Sequence, residues 1–286
     1  MKELRLEYPL DVMSDLFDIS RSGYYRWLKQ KPSKRAQEEP RLVAEIKAAH
    51  TRNRESYGPE RLQEDLADHG ISVGVHRIKR IRKEHGIRCK QKRKYKATTN
   101  SKHNLPVTAN LLDQKFTATA PNKIWVTDIT YIPTGEGWLY LAGHKDLFTG
   151  EIVGYAMGER MTKALVSQSL FRAVVAKRPE PGLVHHSDRG SQYCSKKYRK
   201  LLDQFKMTAS MSRKGNCYDN APMESFWGTL KNELIYRRRY ATRLEAVQEI
   251  KEYIEIFYNR QRKQARLDYL SPAVFERRFY EYLKAA

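Results

Sequence analysis

The alternation of strand-like and helix-like segments after Pro121 constrains the fold of this chain more than any other feature. Five short strand-like segments are interspersed with three longer helical ones, in the order strand, strand, strand, helix, strand, helix, strand, helix. Such an alternation predicts an α/β domain with a mixed sheet covered by helices. The predicted strands are Ile124–Ile132, Trp138–Leu147, Ile152–Met157, Gly182–His186 and Met207–Met211, and the predicted helices are Lys163–Ala176, Tyr193–Phe205 and Asn220–Leu234.

Three acidic residues occupy unusual positions in these segments. Asp128 interrupts a strand-like run, Asp188 closes another, and Glu224 lies at the start of a helix. Aspartate is depleted in strands because it packs poorly on a half-buried pleated surface, so a carboxylate there needs a reason. Each acid taken alone is equally consistent with a solvated surface charge. Together they form a donor set that suits Mg²⁺, which takes oxygen ligands from carboxylates, water and substrate phosphate.

The segments around the three acids have distinctive sequences. They are Trp125-Val-Thr-Asp128, His186-Ser-Asp188-Arg-Gly-Ser-Gln-Tyr193 and Met211-Ser-Arg-Lys-Gly-Asn-Cys-Tyr-Asp-Asn-Ala-Pro-Met-Glu224-Ser-Phe. These segments resemble the DDE transposases of bacterial insertion sequences, in particular the catalytic OrfB type, which are similar to retroviral integrases. The likeness covers nearly the whole chain and is strongest from Pro121 to Pro272. It includes the family's spacing of 35 residues between the second acid and the glutamate.

The resemblance implies a ribonuclease H-like catalytic core that acts on DNA with the help of metal ions. Asp128, Asp188 and Glu224 are the implied catalytic residues and the implied ligands of two Mg²⁺ ions, for which Mn²⁺ can substitute. The expected reaction cuts one strand at an element end with water, and the freed 3′-OH then attacks another phosphodiester without a covalent protein intermediate. Two other functions stay open: a metal-dependent nuclease without strand joining, and a non-enzymatic DNA-binding regulator with a degenerate core.

Several basic residues near the acids are candidate DNA contacts. Lys231 follows Glu224 by seven positions, about two helical turns, so the two side chains share a helix face, and the family carries a basic residue at this place. Arg213 and Lys214 precede the same helix in a loop that either grips DNA or is an ordinary solvated loop. One departure from the family is Gln264, where its members usually carry His, which puts in doubt only an accessory contact.

The other residues beside the acids have simpler interpretations. His185 and His186 are adjacent on a predicted strand and therefore point to opposite faces, so they cannot easily ligate one metal together. His186 is as consistent with a structural role as with a place in the site. Phe226 and Trp227 are expected to be core anchors of the Glu224 helix without a catalytic role.

The first 95 residues predict small helical domains with a strongly basic surface. The chain has 54 Lys and Arg against 33 Asp and Glu, a net charge of +21, and residues 77–96 contain eleven of these bases against one acid. Pro59 begins a helix that Gly70 stops, and Ser72 is expected to cap the next helix, which ends at Gly86. The second helix is a candidate recognition helix, although such pairs also occur as plain packing units and basic runs are often solvated tails. Its expected DNA contacts are Arg77, Lys79, Arg80 and Lys83.

These patterns divide the chain into four parts. The predicted boundaries are 1–35 for a helix-turn-helix-like segment, 36–95 for a basic helical DNA-binding domain, 96–120 for a linker and 121–286 for an integrase-like catalytic domain with C-terminal helices. In the last part, Thr242 opens a capping box and an amphipathic helix. The residues expected on its buried side are Leu244, Val247, Ile250, Ile254 and Phe257.

Other features limit the compartment and the partners. The three cysteines, Cys89, Cys194 and Cys217, fit neither a disulfide framework nor a CxxC zinc site. No secretory signal and no run of about 20 apolar residues is present, so a soluble protein of the bacterial cytoplasm and nucleoid is expected. The expected partners are double-stranded DNA at the element ends and the target, further copies of the chain on DNA and, as in OrfB-type relatives, an upstream-frame protein with a helix-turn-helix and a leucine zipper.

Overall fold

The part of the chain ahead of the sheet is helical. In the computed structural model, which describes residues 1–90 and 107–285, a 3₁₀ turn at Glu3–Leu6 precedes the first of these helices. The helices are α1 (Leu10–Leu16), α2 (Arg21–Lys29), α3 (Lys34–Arg52), α4 (Pro59–Asp68) and α5 (Val75–Glu84). The chain forms two compact units, residues 1–49 and 50–286, and the predicted domain boundaries stay predictions. Part of the predicted linker and of the basic run lies at 91–106, outside the described residues.

The helix boundaries predicted at Pro59 and Gly70 are confirmed. Ser20 caps α2 by accepting a hydrogen bond from the Gly23 backbone N at 3.1 Å. α4 begins at Pro59, and Gly70 follows it with a φ of +76°, a conformation that glycine adopts without strain. The Ser72 cap is wrong, because α5 has Gly74 as its N-cap.

The reason for the late start of α5 lies in the segment before it. The Gln63 side-chain amide donates a hydrogen bond to the Val73 carbonyl at 3.1 Å. This contact holds the backbone before Gly74 in an extended path, so the helix begins two residues later than the serine suggested.

A five-stranded mixed sheet forms the centre of the second unit. The strands are β1 (Ile124–Thr134), β2 (Gly137–Asp146), β3 (Ile152–Gly158), β4 (Val184–Ser187) and β5 (Thr208–Met211). Their order across the sheet is β3-β2-β1-β4-β5. β1, β2 and β3 are antiparallel neighbours, whereas β4 pairs in parallel with both β1 and β5. This is the mixed sheet of the ribonuclease H-like core that the resemblance implied, and the fold prediction is confirmed.

Helices cover both faces of this sheet. They are α6 (Lys163–Lys177), α7 (Lys196–Gln204), α8 (Ala221–Glu233), α9 (Arg243–Glu252), a π-helix (Tyr253–Gln261) that continues α9, and α10 (Pro272–Ala285). On one face, which we call the α8 face, Val126 packs with side chains of α8, α9 and the π-helix. On the other, the α6–α7 face, Trp125 packs with side chains of α6 and α7. Consecutive residues of a strand point to opposite faces, which is why these two neighbours belong to different hydrophobic clusters.

Two details of the predicted helices in this unit are wrong. α7 begins at Lys196 and not at Tyr193, because Ser195 is its N-cap and accepts a hydrogen bond from the Tyr198 backbone N. In α9, Thr242 is the N-cap as predicted, but Leu244 is exposed and Val247 is only half-buried.

The buried side of α9 and the π-helix is set by a different group of residues. Leu244 lies six positions before Ile250, about 240° around an α-helix, so it points away from the face that Ile250 buries. The residues that line the buried side are Ala246, Ile250, Tyr253, Ile254 and Phe257.

Residues 50–90 pack against the C-terminal helices within the second unit. Tyr57 is fully buried, and its hydroxyl accepts a hydrogen bond from the Lys263 backbone N at 2.7 Å. The Lys263 ammonium pairs with Asp68 at 2.5 Å. The Arg54 guanidinium lies 5.0 Å from the centre of the Phe257 ring. These contacts attach the α4–α5 pair directly to the domain that contains the sheet.

The described parts of the chain contain no helix that is both long and apolar enough to cross a membrane. Cys89 and Cys194 are free cysteines.

Candidate functional site

The register of the sheet brings Asp128 and Asp188 to neighbouring positions. β1 and β4 are adjacent parallel strands in which Val126 is the partner of His186, an offset of 60 residues. The same offset relates Asp128 to Asp188, which lies one residue beyond the end of β4. Adjacent strands are about 4.8 Å apart. Both carboxylates therefore project from neighbouring places on the α8 face of the sheet.

Glu224 approaches the same place from the first turn of α8. A 3₁₀ turn at Cys217–Asn220 leads into this helix, and Pro222 lies in its first turn, where a missing backbone N–H costs no hydrogen bond. α8 packs on the sheet through Phe226 and Trp227 and leaves Glu224 exposed to solvent. Partial desolvation raises the pKa of Glu224, and the nearby Asp188 carboxylate raises it further.

The pKa of Asp128 is raised well above its ordinary range. Desolvation is the largest cause, the Asp188 charge is the second, and Glu224 contributes less. Hydrogen bonds from the Ile129 backbone and from the Trp227 indole act in the opposite direction. Like charges that raise each other's pKa in this way are stabilised when a cation joins them.

The carboxylates suit a divalent cation in chemistry, although they do not form a finished coordination shell. Hard cations such as Mg²⁺ prefer carboxylate oxygens and keep water or substrate oxygens as further ligands. Among the described residues, no three His, Cys, Asp or Glu side chains are gathered into a complete metal-binding group. Asp128, Asp188 and Glu224 are therefore related by strand register and by electrostatic coupling, and a metal ion would have to draw them closer.

A tight turn after β4 orients the second acid. The Asp188 Oδ1 atom accepts a hydrogen bond from the Gly190 backbone N at 2.9 Å. A Cβ atom at Gly190 would lie only 3.0 Å from this oxygen, so a larger residue would press on the carboxylate. The Arg189 Nε atom donates to the Ser212 carbonyl at 2.6 Å, which fastens the turn to the segment after β5.

Lys231, on α8, interacts with Asp128, and its predicted DNA contact stays a prediction. Burial lowers the pKa of its ammonium, whereas the Asp128 charge raises it, so the two groups are close enough to interact. The Lys231 Nζ atom lies 5.1 Å from the centre of the Tyr131 ring. Tyr131 in turn packs edge-on against Trp138 at 4.8 Å between ring centres. This aromatic support for the lysine was not part of the sequence interpretation.

The structure gives Arg213 a partner inside the protein. Its Nη2 atom lies 2.8 Å from Oδ1 of the buried Asp219, and its backbone N donates to Oδ2 of the same carboxylate at 2.8 Å. Asp219 also accepts hydrogen bonds from Asn110 and Gln114. The hydrogen bonds from Arg213, with a smaller contribution from Gln114, hold the pKa of Asp219 far below its usual range. A DNA contact by Arg213 stays a prediction, as does one by Lys214, whose side chain is exposed.

The two adjacent histidines point to opposite faces, as expected, and both have partners within the protein. His185 faces α7, where its Nε2 atom lies 3.0 Å from the Tyr198 hydroxyl. The two ring nitrogens of His186 lie 2.8 Å and 3.2 Å from the hydroxyls of Ser210 and Ser212. Burial lowers the pKa of His185 to about 3 and that of His186 to about 4. Both rings are neutral near pH 7 and have structural roles.

The basic face of α5 is open to solvent on the side opposite its buried residues. Ile78 and Ile81 are fully buried, whereas Lys79, Arg80 and Lys83 are exposed and Arg77 is half-buried. Lys79 pairs with Glu60 at 3.0 Å, and Arg80 pairs with Glu84 at 2.9 Å. Exposed ion pairs of this kind contribute little free energy, so both bases can exchange their partners for phosphate. The four basic residues at 92–96, which belong to the basic run of the sequence, lie outside the described residues.

Gln264 is 7 % exposed, its backbone N donates to the Leu270 carbonyl at 3.0 Å, and its carbonyl accepts from the backbone N of Leu267 at 2.9 Å. These contacts give it a place in the C-terminal fold.

One functional contact was missed by the sequence interpretation. The indole Nε1 of Trp227, expected to be only a core anchor, donates a hydrogen bond to Asp128 Oδ2 at 3.1 Å. The available signal was its position three residues after Glu224, which makes the two residues neighbours on one helix surface.

Three family models match parts of this chain. A family model described as "Integrase core domain" matches residues 118–217, a second model with the same description matches residues 224–279, and one described as "HTH-like domain" matches residues 37–95. The first range contains Asp128 and Asp188, and the second begins at Glu224.

Curated proteins similar to this chain come from insertion sequences. The "Insertion element IS600 uncharacterized 31 kDa protein" of Shigella sonnei is 60% identical over 94% of this chain and 99% of its own length. The "Transposase for insertion sequence element IS904" of Lactococcus lactis is 44% identical over 87% of this chain and 99% of its own length. The "Transposase InsF for insertion sequence IS3A" of Escherichia coli is 37% identical over 94% of both chains.

Among solved structures, the HTLV-2 integrase catalytic core domain in complex with magnesium is similar to 56% of this chain and 99% of its own length, with 14% identity and a TM-score of 0.45.

Proposed function

This chain belongs to the family of insertion-sequence transposases with an integrase core domain and an HTH-like domain, and on that premise we propose that it is a DDE-type polynucleotidyl transferase. The proposed reaction cuts one DNA strand at an element end and joins the freed 3′-OH to another phosphodiester. The observation that carries the proposal is the common 60-residue offset, which aligns Asp128 with Asp188 on the face that α8 covers with Glu224.

The three carboxylates are the proposed metal ligands. Desolvation raises the pKa of Asp128 and of Glu224, and the Asp188 charge raises both further; a divalent cation would relieve this repulsion. We propose two Mg²⁺ ions, replaceable by Mn²⁺, which when bound would supply positive charge to the attacking and leaving oxygens of the phosphodiester. Because that charge stabilises the transition state, no serine, cysteine or tyrosine nucleophile is required.

The proposed DNA contacts lie in two places. Lys231 stands beside the acids, where its ammonium can meet the phosphate next to the scissile bond, and Arg213 and Lys214 precede the same helix. The exposed bases of α5 are proposed to hold the element end at a distance from the site. Since residues 50–90 pack on the C-terminal helices, binding by α5 would orient DNA relative to the domain that contains the sheet.

Transposition sets requirements on the partners of the chain. Two element ends have to be brought together, so we propose that several copies assemble on double-stranded DNA, with an upstream-frame protein as a further possible component. Its DNA substrate would place the protein in the bacterial cytoplasm, at the nucleoid.

The experiment that tests the proposed function is strand joining on a branched DNA substrate, which bypasses much of the need to recognise an element end. The intact chain and the Glu224→Gln variant are compared with Mg²⁺ or Mn²⁺. Glu180→Gln serves as the matched control, because it makes the same change at an exposed glutamate in the loop after α6. We expect joining in the intact chain and in the control, and its loss in Glu224→Gln.

Other outcomes would replace the proposal. Metal-dependent cleavage without joining would indicate a nuclease that uses the same carboxylates. If the intact chain neither joined nor cut DNA, and calorimetry found no metal binding that Glu224→Gln removes, the DNA-binding regulator would be the better description.

A further inference from the structure

The indole of Trp227 connects the helix of the third acid to the first acid. Its Nε1–H donates to Asp128 Oδ2 at 3.1 Å, and the side chain is 5% exposed. An indole N–H can only donate, so it constrains a carboxylate without competing for a cation. Glu224 and Trp227 are three residues apart on α8 and are therefore neighbours on its surface. The same helix therefore carries Glu224 and also holds Asp128, which lies 96 positions before Glu224 in the chain.

The strand next to Asp128 is shaped to receive this indole. Asp128 is paired with Gly143 across β1 and β2. A Cβ atom at Gly143 would lie 3.0 Å from Trp227 Cη2 and 2.8 Å from Met223 Cε. Both distances are shorter than ordinary van der Waals contacts, so a larger residue would displace the Trp227 ring and the end of the Met223 side chain. The missing side chain at Gly143 therefore lets the indole come within hydrogen-bonding distance of Asp128.

Two further hydrogen bonds fix the start of α8 against the same pair of strands. The Asn220 Nδ2 atom donates to the carbonyl of Thr127, the residue before Asp128, at 3.0 Å. The buried Lys145 donates from Nζ to the Pro222 carbonyl at 3.0 Å. With its first turn held in this way, α8 has little freedom to rotate, and the direction of the Trp227 indole is determined.

We propose that Trp227 is a positioning residue of the strand-transfer site: its indole N–H holds Asp128 Oδ2 and so sets the orientation in which this carboxylate meets a metal ion. The inference rests on the proposed function, and it assigns Trp227 no contact with DNA or with the reacting atoms. The same hydrogen bond couples the place of Asp128 to that of Glu224, since both depend on the seating of α8.

The alternative is that Trp227 only fills the core, and the two roles predict different results for Trp227→Phe. Phenylalanine keeps an aromatic ring and an apolar contact surface but has no N–H. The matched control is Trp125→Phe, because Trp125 is also buried, lies on β1 three residues before Asp128, and donates from Nε1 to Asn122 Oδ1 at 3.2 Å. Both variants lose one indole hydrogen bond, but only one of these bonds ends on a proposed metal ligand.

The measurement is Mn²⁺ binding to the intact chain and to each folded variant by electron paramagnetic resonance, together with the Mg²⁺ concentration that gives half-maximal joining of the branched substrate. Loss of a hydrogen bond to a ligating group typically costs about 10- to 100-fold in metal affinity or activity. We expect Trp227→Phe to bind Mn²⁺ about 10-fold more weakly and to need correspondingly more Mg²⁺. Saturating Mn²⁺ should restore much of its rate, and Trp125→Phe should bind Mn²⁺ as the intact chain does.

Unchanged Mn²⁺ affinity and Mg²⁺ dependence in Trp227→Phe would overturn the positioning role and leave the proposed function intact. Absence of Mn²⁺ binding and of joining in the intact chain would overturn both. If Trp227→Phe does not fold, Gly143→Ala tests the same contact by displacing the indole. A folded Gly143→Ala variant with weakened Mn²⁺ binding supports the proposal, and one with unchanged binding contradicts it.

Discussion

A cluster of polar side chains lies on each face of the central sheet, and the two clusters differ in how their hydrogen bonds and charges are balanced. On the α6–α7 face, the histidine cluster consists of His144, Ser169, His185 and Tyr198. His144 Nδ1 lies 2.8 Å from Ser169 Oγ, and its Nε2 lies 3.1 Å from His185 Nε2. On the α8 face, the acidic cluster consists of Asp128, Asp188 and Glu224.

The histidine cluster satisfies its own polar atoms. Burial lowers the pKa of both histidines, so the rings are neutral and can share hydrogen bonds with each other and with Tyr198. In the acidic cluster, desolvation raises the pKa of Asp128 and of Glu224, and the Asp188 charge raises both further. Neutral polar groups that pair with one another contribute to the fold, whereas like charges held together can be balanced by a cation. The two clusters therefore differ in charge, and the proposed site is the one whose like charges a cation would balance.

The largest effect is expected for Asp128→Asn. Joining should fall by about 10³-fold or more, because a neutral amide is a poor ligand at the reacting centre. The folded state should keep or gain stability, since the change removes a repelled charge and the amide oxygen can still accept the Trp227 hydrogen bond. Each kcal/mol of relieved repulsion would raise Tm by roughly 2 to 4 °C. Joining assays and thermal unfolding check the two parts, with the exposed Asp203→Asn as control; a large loss of stability would contradict the comparison.

The opposite pattern is expected for His185→Phe. The Tyr198 hydroxyl and the His144 ring each lose a partner, which typically costs about 1 to 3 kcal/mol for a buried polar group left unsatisfied. The free energy of unfolding, measured with urea, should fall by that order. Joining per folded molecule and Mn²⁺ affinity should not change. A weakened metal affinity in this variant would break the distinction between the two clusters.

Asp128→Asn and His185→Phe each change the free energy of unfolding. Acidification should lower the stabilisation by the first and lower the destabilisation by the second. The pKa of His185 is about 3 in the folded protein and about 6.5 when unfolded, so the neutral ring favours folding above pH 6.5, and this advantage is lost as the pH falls from about 6.5 to 3. The pKa of Asp128 is raised, so its charge opposes folding near pH 7 and ceases to do so as the pH falls through that pKa.

Relative to the unchanged protein, the cost of His185→Phe should therefore shrink on acidification, as should the gain of Asp128→Asn. Urea unfolding at pH 7.5 and pH 5 would measure both differences. Differences that grow on acidification would show that the ionisation states assigned to the clusters are wrong.

A smaller loss is expected for Lys231→Gln, which removes a cation that interacts with Asp128. A hydrogen bond from a charged donor is worth about 1.5 to 3 kcal/mol, which corresponds to roughly 10- to 100-fold in rate. The loss should appear in joining at saturating Mg²⁺, because Lys231 is proposed to bind phosphate and not metal. Lys231→Arg should restore part of the activity. An effect confined to Mg²⁺ affinity would instead place Lys231 among the residues that tune the carboxylates.

The smallest effect is expected for Lys83→Ala on α5, far from either cluster along the chain. DNA affinity should fall a few-fold, and the slope of log affinity against log salt should decrease by about one unit. Fluorescence anisotropy at several salt concentrations measures both. Lys284→Ala, an exposed lysine near the end of α10, is the charge-matched control; an equal effect there would point to non-specific attraction by the net charge.

Much of the catalytic core could be predicted from the sequence because its signals are local. The strand at Ile124–Thr134 and the helix at Lys163–Lys177 were anticipated within a few residues, since hydrophobic periodicity and caps depend on near neighbours in the chain. The acids were recognisable for the same reason, as each lies in a short distinctive segment. One error arose where a contact outside the local pattern overrode a local signal, as when Gln63 bonded the Val73 carbonyl and α5 began after Gly74; the start of α7 was wrong because the local cap at Ser195 was overlooked.

By itself, the sequence determined the class of fold, the three acids and the basic character of the helices ahead of the sheet, because these depend on residue type and on spacing along the chain. Only the tertiary structure decided which groups meet. Strand pairing aligned Asp128 with Asp188, the missing side chain of Gly143 admitted the Trp227 indole, and Asp219 took Arg213 as its partner. Such pairings join residues far apart in the chain, and their geometry is set by the packing of helices on the sheet, to which no local pattern gives access.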